Sequence, residues 1–215
     1  MKNIVLYAPP AAGKGTECEL LTKDYGYEVL SIGQVLRNAR NPETEVGRQI
    51  IETQDKGILT PDNIVAEALK EELTNLKGKN IIIEGYPRNI EQTKLLDSIF
   101  SNYIVINIDV KRDIAMKRTL GRVTCKNCNK IYNIYFPEMK PKQEGICDIC
   151  GEILEIRSDD KEQAFTNRYD VYESNAPQIL DYYRKKGILH IVDGNKDKNN
   201  THEQIVKILN EGKND

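Results

Sequence analysis

Directly after the apolar run Ile4 to Tyr7, the chain reads Ala8-Pro9-Pro10-Ala11-Ala12-Gly13-Lys14-Gly15-Thr16. A loop of small residues that leaves a strand and opens a helix turns several backbone N–H groups toward one point, and such a nest holds the phosphates of a nucleotide. Lys14 is then the mobile cation that reaches the terminal phosphates. Thr16 opens the helix and offers its hydroxyl to a phosphate or to the metal. The usual pattern starts with glycine where this chain has Ala8, so an ordinary strand-to-helix connection is the competing reading. The place of the loop behind an N-terminal strand and its Pro-Pro pair favour phosphate.

Cys125, Cys128, Cys147 and Cys150 form two Cys-x-x-Cys pairs with 18 residues between them, each in a polar, turn-forming stretch. Two such knuckles close a tetrahedral thiolate site, and Zn²⁺ suits four soft ligands with no open position. Two disulfides and an iron–sulfur cluster are the alternatives. No secretory segment is apparent, because only four apolar residues follow Met1-Lys2-Asn3 before Ala-Pro-Pro. A cytoplasmic chain keeps its thiols reduced, which favours metal over disulfides. Cys18, just beyond the phosphate loop, is expected to be a packed thiol without a role.

The elements that must position these groups follow from periodicity. Short β-rich runs recur at Asn3–Tyr7, Glu28–Leu30, Ile81–Glu84, Tyr103–Asp109 and Leu189–Val192, separated by polar stretches with helical spacing. This alternation predicts a five-stranded parallel sheet flanked by helices. Thr60-Pro61-Asp62 starts a helix with Pro at its first position, running to about Leu76. Asp159-Asp160-Lys161-Glu162 starts another, extending to about Lys186, which Pro177 should kink or divide. The stretch Val123 to Ile156 breaks the rhythm and is expected to be a small zinc-stapled insertion. The tail from Asn210 to Asp215 should fray. With 215 residues the chain can bury one sizeable core, and a net charge of −2 gives no broad attraction to nucleic acid or to an anionic membrane.

Ligands of an open α/β sheet lie beyond the carboxyl ends of its strands, so the phosphate loop should meet Glu84-Gly85-Tyr86-Pro87-Arg88. A carboxylate at such a strand end can hold Mg²⁺ through its water shell, which makes Glu84 the metal candidate; a helix-cap or salt-bridge acid is its plain alternative. Arg88 follows a Gly-x-Pro turn that fixes the aim of its guanidinium, a fork suited to phosphate. Arg37, Arg118, Arg122, Arg157 and Arg168 fall where further elements should end near the same cleft. Phosphoryl transfer asks mainly for positioning and charge neutralisation, which arginines supply. Arg122 and Arg157 bracket the insertion and would travel with it, excluding water on closure.

Taken together, these motifs resemble the adenylate kinases of the nucleoside monophosphate kinase superfamily, in the long form with a zinc-binding lid. The likeness covers essentially the whole chain. Ala8 to Thr16 resembles Gly-Pro-Pro-Gly-Ala-Gly-Lys-Gly-Thr, Ser31 to Arg37 resembles Ser-Thr-Gly-Asp-x-Leu-Arg, and Glu84 to Arg88 with Gln92 resembles Asp-Gly-Phe-Pro-Arg followed by Gln. Leu120-Gly121-Arg122, the four cysteines, Arg157-Ser158-Asp159-Asp160, Arg168 and Asp193-Gly194 complete the series.

The resemblance implies a phosphate-loop core at 1–30, 61–121 and 161–215, an acceptor segment at 31–60 and a lid at 122–160. It implies that Ala11, Ala12, Gly13, Lys14, Gly15 and Thr16 hold the donor phosphates, with Arg118, Arg122, Tyr132 and Lys196 around the ATP base and phosphates. Arg37, Arg88 and Gln92 would hold AMP, with Gln92 on the adenine edge, and Ile32, Ile58, Leu59, Thr60 and Gly85 would line that pocket. Arg157 and Arg168 would sit on the transferring phosphoryl group, with Glu84 and Thr16 at the water shell of Mg²⁺. ATP, AMP and ADP are the expected partners of a cytoplasmic monomer with structural Zn²⁺ and no nucleic-acid or membrane partner.

Six positions depart from the family pattern: Ala8 and Ala11 replace glycines, Ile32 a threonine, Gln34 and Glu84 aspartates, and Val123 an arginine. Gln34 and Glu84 should leave fewer, differently placed carboxylates around the metal. Reversible transfer from ATP to AMP is the leading expectation. A kinase for another nucleoside monophosphate and a weakened nucleotide-binding switch protein are the alternatives.

Overall fold

Every β-rich run named above forms a strand in the computed structural model, which describes residues 1–158 and 160–211. β1 (Asn3–Tyr7) leads through the small-residue loop into α1 (Lys14–Tyr25) and on to β2 (Glu28–Ser31). Three helices follow, α2 (Ile32–Asn38), α3 (Glu45–Lys56) and α4 (Asp62–Asn75), and then β3 (Ile81–Glu84). α5 (Ile90–Ile99), β4 (Tyr103–Asp109) and α6 (Arg112–Leu120) precede a small antiparallel unit of β5 (Arg122–Cys125), β6 (Ile131–Asn133) and β7 (Leu154–Glu155). The chain returns through α7 (Glu162–Lys185), β8 (Leu189–Asp193) and α8 (Lys198–Glu211).

The main sheet has the order β2-β3-β1-β4-β8 and is parallel throughout. Alternation along each strand splits its side chains between two cores. Val5, Tyr7, Leu30, Ile83 and Val105 pack on one face with Ile50, Leu69 and Leu96 of the helices, whereas Ile4, Leu6, Ile82, Ile104 and Ile106 pack on the other with Leu21, Ala115 and Ile205. α7 serves both cores: Phe165 and Tyr169 enter the second, Ile179 and Tyr183 the first. β1 and β3 are neighbours, yet the chain leaves β1 for β2 on one side and leaves β3 for β4 on the other. Their carboxyl ends therefore open onto a crevice at the switch point.

Several element ends differ from the sequence expectation. Pro61 caps α4 rather than starting it, at ψ 135°, and the helix begins at Asp62. α7 starts at Glu162 with Lys161 as its cap, because Asp160 is committed to a buried ion pair; Asp159 lies outside the described residues. Pro177 does not divide α7, which runs for 24 residues. Ala176, Ile179 and Tyr183 are buried on both sides of the proline, so packing holds the axis together where one helical hydrogen bond is lost. Asn210 and Glu211 complete α8, and residues 212–215 lie outside the described ones.

Candidate active site

The phosphate loop closes on its own lysine. Lys14 Nζ donates to the carbonyls of Ala8 (3.2 Å) and Pro9 (3.0 Å), which seats the ammonium in the ring of the loop. Gly13 caps α1 at φ +98°, a conformation open to glycine at little cost. Of the two alanines that stand where the family has glycine, Ala11 adopts φ +56°. Its methyl group therefore carries backbone strain of about 1 kcal/mol. Ala12 is buried in the core, Gly15 faces the cavity, and Thr16 lies in the first turn of α1.

Across the switch point, Ser31 at the end of β2 donates its hydroxyl to Glu84 at the end of β3, at 2.6 Å. The parallel register places these two residues directly opposite each other. Burial opposes the charge on Glu84, but Lys14, the Ser31 hydroxyl, Arg88 and Arg37 outweigh it and hold the carboxyl below its ordinary range. Burial lowers the Lys14 ammonium from its ordinary value, with Glu84 acting the other way. Arg88 Nε donates to the Gly85 carbonyl at 2.9 Å, and Gly85, at φ +81°, makes the turn that allows it.

Five of the six arginines named from the sequence line one cavity of about 700 Å³: Arg37, Arg88, Arg122, Arg157 and Arg168. Lys14, Gly15, Glu84, Gly85 and Leu59 share that wall. Asp160, whose side chain is fully buried, organises two of the arginines: Arg122 Nε donates to it at 2.7 Å, and Arg168 lies 3.7 Å away. The sequence places Asp160 in a helix start and in the family's Arg157-Ser158-Asp159-Asp160 motif, but assigns it no partner. Its position immediately after the returning insertion is the one signal that it could face Arg122 at the insertion's other end.

The remaining sequence candidates are placed elsewhere. Arg118 donates to the Lys196 carbonyl at 3.1 Å, so these two meet each other outside the cavity lining. Tyr132 is buried among the cysteines, with its hydroxyl 3.6 Å from Cys147 Sγ and accepting the Asp148 N–H at 2.8 Å. Ile32 packs into the core, Ile58 is exposed, and the Thr60 hydroxyl pairs with that of Thr53 at 3.1 Å. Gln92 is buried; its amide accepts the Arg88 N–H (2.8 Å) and donates to Asp62 (2.6 Å), so it supports the Arg88 turn from behind. Gln34 faces Arg37, not Glu84, and so does not stand in for a metal-organising carboxylate. Cys18 is buried, as expected, but its position borders the cavity, and burial raises its thiol well above the ordinary value.

In the insertion the four cysteine sulfurs lie within 4.8 Å of one another. Individual separations of 3.4, 3.5 and 3.7 Å are far too long for a disulfide and close to the edge of a tetrahedron with metal–sulfur bonds of about 2.3 Å. Turns after each pair, with Asn129 N–H on Cys125 O and Gly151 N–H on Cys147 O, both at 2.9 Å, shape the two knuckles. Among the described residues this is the group with metal-ligand geometry.

A phosphate loop at the switch point of a parallel sheet and a cavity ringed by arginines, bordered by Asn129 and Ile131 of the cysteine-bearing insertion, define a nucleotide-dependent phosphotransferase. The family model described as adenylate kinase matches residues 6–188. The adenylate kinase of Archaeoglobus fulgidus is 40% identical over 214 residues, spanning 96% of this chain and 97% of the relative. That of Thermodesulfovibrio yellowstonii is 38% identical over 213 residues, spanning 96% and 98%, and that of Caldicellulosiruptor bescii 36% over 213 residues with the same coverage. The chain belongs to the adenylate kinase family and is an enzyme of the nucleoside monophosphate kinase class.

Proposed function

We propose that the cavity carries out the reversible transfer of the γ-phosphoryl group of ATP to AMP, giving two ADP, with no covalent intermediate. The observation that supports it is the gathering of Lys14 and five arginines around one cavity at the ends of β1 and β3. Residues 11–16 hold the donor phosphates through backbone N–H groups and Lys14. Arg37 and Arg88 hold the acceptor phosphate in the segment 31–60, with Gly85 and Leu59 beside it. Arg122, Arg157 and Arg168 lie between the two and neutralise the moving phosphoryl group, their aim fixed in part by Asp160. The lid, 122–160, closes over the core and excludes water, the competing acceptor.

Glu84 and the Thr16 hydroxyl suit magnesium, since a charged carboxylate and a hydroxyl beside the phosphate loop are hard oxygen donors. Magnesium held there would supply neutralisation of phosphate charge. The four cysteines suit structural zinc, with Tyr132 packed behind Cys147. Thiols at these separations, unbridged by disulfides, fit an enzyme of the reducing cytoplasm. Lys14→Met keeps the stem and removes the cation; kcat should fall by about 10²–10³ with an unchanged circular dichroism spectrum. An unchanged rate in the folded variant would mean that the loop is structural.

A further inference from the structure

Gln34 occupies the third position of α2, where the family pattern has an aspartate, and its side-chain amide is held at both ends. Its Oε1 accepts from Arg37 Nε at 3.2 Å and from Arg37 Nη2 at 2.9 Å. Its Nε2 donates to Asn38 Oδ1 at 2.8 Å. A guanidinium has only donors, so the amide oxygen must face Arg37, and the Asn38 carbonyl oxygen takes the opposite end. The spacing i, i+3 and i, i+4 on one helix makes both contacts natural. Gly33 completes the arrangement: a Cβ there would lie 3.5 Å from Arg37 Nη1, so the guanidinium folds back over the bare glycine. Gln34, Gly33 and Arg37 all line the cavity.

We propose that Gln34 is a positioning residue for Arg37, aiming its guanidinium at the acceptor monophosphate without placing a negative charge beside it. The proposal rests on the reading of Arg37 as an acceptor ligand. A carboxylate at position 34 would also orient the fork, and more strongly, as a charge-assisted pair. It would also offset one positive charge at the site and face a phosphate of the same sign. The amide gives orientation alone. Asn38 matters because it fixes which end of the amide Arg37 meets. Gln34→Glu, which places a carboxylate at the same side-chain length, is therefore expected to weaken acceptor binding.

Kinetics with ATP and AMP, and calorimetric titration of AMP at several salt concentrations, test this on Gln34→Glu, Gln34→Ala and Arg37→Ala. Glutamate in the first turn of a helix is favourable, so Gln34→Glu should melt no lower than the parent. It should nevertheless raise KM for AMP about threefold to tenfold with KM for ATP within twofold, and AMP affinity should become less sensitive to salt because one positive charge is offset. Gln34→Ala removes orientation but no charge, so KM for AMP should rise about twofold to threefold with the salt sensitivity of the parent. Arg37→Ala should raise KM for AMP by about tenfold or more. An effect of Arg37→Ala with none from Gln34→Ala would overturn the positioning role of Gln34 and leave the acceptor reading intact. Unaltered AMP binding in Arg37→Ala would overturn both.

Discussion

At the scale of single residues, Ala11 shows what a departure from the family pattern costs. A side chain at φ +56° occupies a region that glycine enters freely. Ala11→Gly should therefore raise the unfolding free energy by about 1 kcal/mol in urea titrations with an unchanged m-value. A loss of stability would show that the loop accommodates the methyl without strain. The sequence located this position but could not give its sign, because the sign depends on a backbone angle that composition does not reveal. The same limit applies to Gln34 and Asp160. Both are visible in the sequence, yet their roles come from partners three residues away in one case and 38 in the other. Lys14, Glu84 and Arg88 were legible because each sits at a strand end or in a turn whose chemistry is local.

Elements were legible in proportion to how locally they are determined. Short β-rich runs named all five core strands, and the cysteine spacing marked the insertion. The start of α7 misled because a tertiary partner claims Asp160, and Pro177 does not divide that helix because packing on both sides of it is maintained. In the insertion, the proposed metal site would hold together a unit whose buried core is small: Cys125, Tyr132, Cys147 and Leu154. With zinc bound as proposed, metal-binding energy would be folding energy for this unit. Purified protein should carry about one zinc per chain, and Cys147→Ser should lose the metal and the first melting step while the main sheet persists in far-UV circular dichroism. Retention of stoichiometric metal by that variant would refute the four-thiolate site.

Asp97 on α5 ties three elements together, accepting from Tyr103 of β4 at 2.5 Å and from Tyr182 and Lys186 at the end of α7. Burial works against its charge, but Lys186 and the two tyrosine hydroxyls prevail and lower the carboxyl below its ordinary value. A depressed carboxyl contributes stability above its unfolded pKa of about 3.9 and loses it as pH falls through the lower folded value. Asp97→Asn should thus lower Tm by several degrees at pH 7, and the difference from the parent should shrink progressively below about pH 4. A gap that stayed constant down to pH 2 would show that packing, not charge, carries the contribution of Asp97.

Over the whole molecule, the cysteine-bearing insertion and the segment from α2 to α3 both meet the core around the cavity. Lys130 of the insertion lies 3.3 Å from Glu19 on α1, and Asn167 of α7 donates to the Lys56 carbonyl at 2.6 Å. Gly57 lies so close to α7 that a Cβ there would come within 2.3 Å of the Ala164 carbonyl oxygen. The cationic wall is thereby assembled from three parts of the chain, which is the requirement for holding two polyanionic substrates away from water. The central claim is that this assembled wall transfers a phosphoryl group from ATP to AMP. The most direct measurement is ADP formation by purified protein with ATP and Mg²⁺ against AMP, CMP, UMP and GMP in turn, paired with calorimetric binding of each nucleotide. Two ADP per AMP consumed, with AMP preferred over the other three acceptors, is the predicted result. Binding of both ATP and AMP with no ADP formed under any divalent metal would contradict it.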